Sequence, residues 1–348
     1  MNPLFFKHAK KPFVIAEAGV NHNGKLDMAL QLIDAAANAG ADAVKFQTFK
    51  AEQVVTEKGE MASYQKKNIG KATSQLEMLR KLELREEFYV PLIRHAKKRK
   101  ILFLSTPHGG RQSIDFLETL GVPMYKIGSG DITNFILLSR VAKTKKPIIL
   151  SSGMATLEEI KSAIRFLRIS HSGPIRVLHC TTNYPCPSHE VNLRAMVTMM
   201  KTLDIPVGYS DHTVGSQAAI MATMLGAQIY ECHFTLDTLL PGPDHAASAD
   251  PKELKSRIDA IRNVEIILGS SKKIPTTSEK QSMITTVRKS IVAFRDLPKG
   301  SVLTEEDLEA KRPGDGLSPV YFQKLIGKKI KRSLKKDEQI QMKDVVGK

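Results

Sequence analysis

Short apolar runs rich in β-branched residues alternate with longer stretches of helical spacing through the first 270 residues. The runs are FVIAEAG, AVKFQTF, ILFLSTP, MYKIGS, PIILSSG, IRVLHCT, IPVGYSD and QIYECHFTLD. Between them, LDMALQLIDAAANAGA, SIDFLETLG, TLEEIKSAIRFLRIS and SQAAIMATMLGA place apolar residues on one face of a helix. A last helix, PKELKSRIDAIRNVEIILG, follows the eighth run. Eight strand–helix units in about 250 residues predict a (β/α)8 barrel. A doubly wound open sheet is the alternative. It usually carries a Gly-rich dinucleotide loop after its first strand, and EAGVNHNG is not GxGxxG.

The connection from Lys50 to Leu84, after the second run, is too long for a bare loop. It carries ASYQKKN and SQLEMLRKL, which predict helix within it and cover for one side of the barrel mouth. The polar stretch GSSKKIPTTSEKQ ends the barrel. Beyond it come short strands, Pro-Lys-Gly and Gly-Asp-Gly turns and two short helical pieces. The expected organisation is a catalytic barrel over 1–270, a linker over 271–286 and a small domain over 287–348.

Barrel strands alternate residues between the helix layer and the interior, and chemistry gathers at their C-terminal ends. In AVKFQTF, Val44 and Phe46 suit the helix layer, so Lys45 and Gln47 point inward. By the same parity Glu17, Lys126, the pair Ser210 and His212, and the pair Glu231 and His233 face the mouth. Ser105, Thr106, Ser129, Ser151 and Ser152 stand at strand tips. Singly, each has an ordinary reading: a helix N-cap for a hydroxyl, a snorkelling surface lysine, a hydrogen-bonded structural histidine. Together they point elsewhere. Two inward lysines are costly to bury without an anionic partner. Hydroxyls and helix N-termini beside them suit a phosphate or carboxylate. His212 and His233 end neighbouring strands about 4.8 Å apart, where two imidazoles can share a divalent ion. With only two protein ligands, substrate and water would complete an octahedral shell, which suits Mn or Mg better than a closed zinc site. Two unconnected structural histidines are the competing reading of the same spacing.

Composition narrows the class. The 348 residues are 42% hydrophobic and 25% charged, which describes a globular chain. No apolar run is long enough to span a bilayer, and the N-terminus has no signal-peptide h-region, so a cytoplasmic protein without a membrane partner is expected. Cys180, Cys186 and Cys232 form no CxxC pair and read as reduced, buried thiols. The net charge of +16 raises nucleic acid as a partner. Half the surplus lies in residues 271–348, with 18 Lys and Arg against 10 Asp and Glu. That stretch has no aromatic stacking runs and no zinc or helix-turn-helix signature. A basic surface or a field drawing in small phosphorylated substrates is the better account, and no nucleic-acid partner is expected. Two further readings stay open on the residues. One is a Schiff-base aldolase using Lys126 or Lys45. The other is a non-catalytic polyanion binder, which leaves the inward polar set unexplained.

Motifs across nearly the whole chain carry a family resemblance. IAEAGVNHNG (15–24), AGADAVKFQTF (39–49), STP (105–107), KIGSGDITN (126–134), SSGMATLEEI (151–160), LHCTTNYPCP (178–187), GYSDHT (208–213), HFTLD (233–237) and GPDHAAS (242–248) occur in order. The sequence resembles the sialic acid (N-acetylneuraminate) synthases and the related legionaminate synthases. KRPGDGLSP (311–319) resembles their C-terminal antifreeze-like (SAF, β-clip) domain. The resemblance implies condensation of phosphoenolpyruvate with an open-chain N-acetylated mannose-type sugar. The products would be a nonulosonic acid and phosphate, formed by C–O cleavage. N-acetylmannosamine is the acceptor expected first, and 2,4-diacetamido-2,4,6-trideoxymannose the alternative. The resemblance also implies a divalent cofactor, Mn2+ with Mg2+ or Co2+ as substitutes, on His212 and His233, polarising the aldehyde. Lys45, Thr106, Lys126, Ser129, Ser151 and Ser210 would hold phosphoenolpyruvate. Glu17, Gln47, Tyr184 and Asp244 would meet the sugar or move protons. Arg312 would come from the partner subunit of a domain-swapped homodimer. Two positions depart from the pattern: His108-Gly109 stands where the family more often has Phe-Asp, and Cys232 where a Lys usually precedes the histidine.

Overall fold

The structure, a computed structural model, describes residues 11–69 and 74–347. It divides into two units, Met1–Gly269 and Ser270–Lys348.

The first unit is the barrel. Its strands are β1 (Phe13–Gly19), β2 (Ala43–Thr48), β3 (Leu102–Pro107), β4 (Tyr125–Ile127), β5 (Ile148–Ser151), β6 (Ile175–Cys180), β7 (Val207–Asp211) and β8 (Ile229–His233). All paired neighbours are parallel, in the order β3-β2-β1-β8-β7-β6-β5-β4. β3 and β4, the two ends of that order, lie against one another and close the ring by packing. Helices alternate with the strands as the sequence pattern predicts. In Leu26–Ala39, residues Ala29, Leu32, Ile33 and Ala36 are buried at i, i+3, i+4 and i+7. That helix stops at Gly40, whose φ of 88° is the left-handed conformation glycine adopts without strain. Pro251–Leu268 starts on an Asp250 cap that accepts from Glu253 N at 2.7 Å, with Pro251 in the first turn.

Two apolar layers follow from strand parity. Val44, Phe46, Tyr230 and Cys232 pack outward with the helices. Ile15, Ala43, Leu104, Met124, Ile149, Leu178 and Ile229 plug the interior. Gly208 takes the interior position of β7 because a Cβ there would meet Ile229 O at 2.5 Å and Leu178 Cδ2 at 2.7 Å. Two residues further along, the same faces turn polar: Glu17, Lys45, Thr106, Lys126, Ser151, Cys180, Ser210 and Glu231. The apolar plug is thus the floor of a polar cup.

The 50–84 connection holds helices Ala51–Val54, Ser63–Ile69 and Gln75–Leu82. The last opens on a Ser74–Glu77 capping box. Met61, Met78 and Leu82 pack with Val20 and Phe49 in a small core of their own.

The second unit pairs Ser290–Ala293 with Leu308–Lys311 and Lys329–Ile330 with Val345–Val346, both antiparallel. Ile291, Leu297, Leu303, Leu325, Leu334 and Ile340 form its core. Before it, residues Glu279–Met283 make a π turn that runs into a short helix, Ile284–Val287. Among the described residues, no helix is long and apolar enough to cross a membrane.

Candidate active site

At the C-terminal mouth four buried charges alternate in sign. Lys45 Nζ stands 2.5 Å from Glu17 Oε2 and 4.0 Å from Glu231 Oε2, and Lys126 Nζ stands 3.2 Å from Glu231 Oε1. All four side chains are at most 6% exposed. Hydroxyls from β3, β5 and β7 bond to three of the four. Lys45 donates to Thr106 Oγ1 at 3.1 Å, Lys126 to Ser151 Oγ at 2.7 Å, and Ser210 Oγ to Glu231 Oε1 at 3.2 Å. Gln47 Nε2 donates to Glu17 Oε1 at 3.3 Å. Ser129, at the tip after β4, accepts from Gly153 N at 3.0 Å, which joins the β4 and β5 loops. The two lysines therefore have protein counterions. Glu17 and Glu231 thus supply the anionic partners that two inward lysines require.

Burial and neighbours drive the two carboxyls apart. Burial raises Glu17, and the charge of Glu231 adds to this against the pull of Lys45. Burial alone would raise Glu231 too, but Lys126 and Lys45 hold it below the usual range. Glu17 is thus shifted toward the protonated form and Glu231 toward the ionised one, a division suited to acid–base work. Lys126 is lowered, first by burial and then by the charge of Lys45.

His212 and His233 come together with ring centroids 5.4 Å apart. His212 Nδ1 lies 2.7 Å from Thr181 O. A carbonyl only accepts, so Nδ1 carries the hydrogen and Nε2 the lone pair a metal needs. Burial, with the charges of His212 and Lys45, pushes His233 well below its ordinary value, so its ring is neutral. Its Nδ1 is buried and has no hydrogen-bond partner among the described residues. For His212 burial acts against the proton, yet the Cys180 thiol and Thr181 carbonyl raise its pKa, so a proton would compete with a metal there. Two adjacent imidazoles, one with its tautomer fixed and one with an orphan nitrogen, fit a divalent ion. Among the described residues, no group of three or more His, Cys, Asp or Glu is placed to hold a metal. Any ion would therefore depend on water or substrate for the rest of its shell.

Above the cup, the Tyr184 ring lies 4.1 Å from His212, 5.5 Å from His233 and 5.2 Å from Tyr64. Tyr64 OH donates to Asp244 Oδ1 at 3.4 Å, and Asn68 Nδ2 to Pro243 O at 2.7 Å. The Ser63–Ile69 helix therefore reaches the loop after β8 and covers that side of the mouth. The loop is pinned from β1 as well: Asn21 Nδ2 donates to Phe234 O at 2.8 Å and to Ser248 Oγ at 2.9 Å. Gly19 begins this pinning segment. The β1–β2 register shifts between Glu17 and Gly19, and Gly19 has a φ of 53°, which favours glycine.

The structure thus gathers Glu17, Lys45, Gln47, Thr106, Lys126, Ser129, Ser151, Tyr184, Ser210, His212, His233 and Asp244 at one mouth. Arg312 belongs to the second unit, where its Nε donates to Val287 O at 3.2 Å. Glu231 joins the cup by the period-2 parity it shares with His233. Tyr64 and Asn68 had no such signal, since their partners lie about 180 positions away. His108 pairs with Asp131 at 3.6 Å and touches the space over Gly128, beside Ser129. Cys232 is buried among the helix-layer residues, so its departure from the pattern is a matter of packing.

Comparison with known proteins gives a consistent picture. A sequence model of the NeuB family matches residues 32–273, and one of the SAF domain matches 288–346. The chain is 46% identical over 333 residues to the N,N'-diacetyllegionaminic acid synthase of Campylobacter jejuni, covering 95% of this chain and 99% of that one. It is 45% identical over 326 residues to the enzyme of the same name from Legionella pneumophila, covering 92% and 91%. The crystal structure of N-acetylneuraminic acid (sialic acid) synthetase from Leptospira borgpetersenii superposes with a TM-score of 0.68 at 34% identity, covering 79% of this chain and 91% of that one.

Proposed function

The chain belongs to the NeuB family and ends in a SAF domain, and we propose that it is a nonulosonic acid synthase. It condenses phosphoenolpyruvate with an open-chain N-acetylated mannose-type sugar. The observation that carries this reading is the polar cup, in which two buried lysines meet the hydroxyls of Thr106 and Ser151 and the carboxylates of Glu17 and Glu231. Two acceptors come first: N-acetylmannosamine and 2,4-diacetamido-2,4,6-trideoxymannose. The identities of 46% and 45% to legionaminic acid synthases favour the second.

Lys45, Lys126, Thr106, Ser129, Ser151 and Ser210 hold phosphoenolpyruvate, with C3 turned toward the sugar aldehyde. Gln47, Tyr184 and Asp244 orient the sugar, and Arg312, supplied by a partner subunit in a swapped homodimer, closes over its N-acetyl group. His212 and His233 are the residues that would hold Mn2+, which when bound supplies Lewis-acid polarisation of the aldehyde oxygen. C3 forms the new bond to the aldehyde carbon as the C=O π pair moves to oxygen, and that oxygen takes a proton from the Glu17 carboxyl. Water adds at C2 and gives a proton to a nearby carboxylate, for which Glu17 is placed. The C2–O bond then breaks, phosphate leaves with the electron pair, and the C2 hydroxyl gives its proton to the phosphate as the C2 carbonyl forms. The cup's lysines stabilise the departing charge.

The test is phosphate release from phosphoenolpyruvate with each sugar, with Mn2+ and after chelation. Release that needs both sugar and metal is expected. Release that needs the sugar but survives chelation would remove the metal from the reaction, and borohydride trapping of pyruvate on the protein without phosphate release would move the assignment to a Schiff-base aldolase.

A pH dependence also follows. Burial, then the negative charge of Glu17, raises Asp244 from 3.8 to about 6. Above that pH the carboxylate accepts from sugar hydroxyls, and below it the carboxyl is protonated. We expect kcat/KM for the sugar to fall on an acid limb near pH 6. In Asp244→Asn that limb should be gone and the remaining activity low. A limb unchanged in the variant would assign it to another group.

A further inference from the structure

The outward faces of β7 and β8 carry a polar cluster that the proposed reaction does not use. Asp211, only 1% exposed, immediately precedes His212. Its Oδ1 accepts from Thr213 N at 2.9 Å, Thr213 Oγ1 at 2.8 Å and Tyr209 OH at 3.2 Å. Its Oδ2 accepts from Tyr230 OH at 2.8 Å, and Arg257 Nη1 stands 3.7 Å away. Arg257 Nη2 donates to Thr213 O at 2.8 Å and to Glu253 Oε1 at 2.6 Å. Glu253 Oε1 also accepts from Gly215 N at 3.0 Å. The chain on both sides of His212 is therefore tied to the first turns of the Pro251–Leu268 helix.

This is an expensive way to pack a strand against a helix. The neighbouring outward positions of the barrel use Val, Ile, Phe and Cys. Burying a carboxylate and a guanidinium costs several kcal/mol per ion before their pairing offsets it. An apolar set would stabilise the same contact more simply. What the polar set adds is direction. Hydrogen bonds fix where residues 211–215 run, and Thr181 O fixes the ring of His212 from the other side.

We propose that Asp211, Tyr230 and Arg257 are positioning residues for the metal ligand His212, holding its imidazole in the orientation that offers Nε2 beside His233. The inference rests on the reading of His212 and His233 as the metal pair. Outer partners of metal ligands contribute about 10–100-fold to affinity, and these act through the backbone on either side of the ligand.

The test is Mn2+ affinity of the full-length protein without substrate, read from the electron paramagnetic resonance signal of free Mn2+. Asp211→Asn should weaken binding about tenfold, since the amide nitrogen cannot accept from Tyr230 and faces Arg257. Tyr230→Phe, which removes one hydroxyl, should weaken it about threefold. Thermal melting of the metal-free variants is followed alongside. Lowered melting temperatures with unchanged Mn2+ affinity would mean a purely structural cluster and overturn the proposal. If Asp211→Asn does not fold, Tyr230→Phe decides alone. His212→Ala is the control on the premise: if it binds Mn2+ as the wild type does, the metal is not on His212 and both readings fall.

Discussion

Replacing His233 by alanine is expected to abolish the proposed metal-stimulated turnover, with a loss in kcat/KM of about 10³-fold or more, roughly 4 kcal/mol of barrier. The argument is geometric. Among the described residues two imidazoles meet at the mouth, 5.4 Å apart between centroids. Removing one leaves a single protein ligand, too few to retain an ion at ordinary concentrations. The fold has little reason to follow. His233 ends its strand, and its Nδ1 makes no hydrogen bond whose loss would be felt. The measurement is phosphate release against Mn2+ concentration, with circular dichroism as the check on folding. A folded variant with wild-type Mn2+ stimulation would remove His233 from the metal site.

Much of this mouth was legible from parity alone. A β-strand alternates with period 2, and the floor of the cup is apolar. Once Val44 and Phe46 were assigned to the helix layer, Lys45 and Gln47 had to point inward. The same step located Lys126, Ser210, His212 and His233. Parity cannot say what an inward charge meets. The lysines read as needing an anion, and the physics was sound. Glu17 and Glu231 were already on the inward faces to supply it. The arrangement of four strands, β1, β2, β4 and β8, decides which charges touch, and it is not written in any one strand.

Three features lay beyond a strand-by-strand reading. Tyr64 and Asn68 sit on a helix whose existence the long connection predicted but whose landing place it did not. Its target is the loop after β8, set by tertiary packing against Val20 and Phe49. The Asp211 cluster lies on the outward face, where a reader expects only packing. Its Arg257 comes from the last helix of the barrel, 44 residues after the carbonyl it binds. Arg312 has no local signal for chemistry. In the chain it is a turn residue with a backbone contact, and only the family resemblance gives it a role.

The second large effect is expected at Lys126. Lys126→Met should lower kcat/KM for phosphoenolpyruvate by about 10²–10³-fold, or about 3–4 kcal/mol. The ammonium lies between Ser151 Oγ and Glu231 Oε1, at 2.7 and 3.2 Å. In the proposed reaction that is where the phosphate's charge must be held as it leaves. Stability should respond differently from activity. Burial and Lys45 both lower the pKa of Lys126, so its charged form is disfavoured in the fold. A folded pKa below the unfolded one means that this group destabilises the protein at neutral pH. The lost stability is regained as pH rises through the ordinary lysine range. Methionine has similar length and no charge, and it removes that penalty. Glu231 would keep Lys45 at 4.0 Å as its remaining cation. The unpaired share of its charge offsets part of the gain. The melting temperature should therefore stay close to wild type near pH 7 while activity collapses. Stopped-flow phosphate release and calorimetric melting separate the two. Activity within threefold of wild type would place the phosphate elsewhere. Activity lost together with cooperative melting would show that Lys126 holds the cup together, and that its charge matters to the fold before it matters to the substrate.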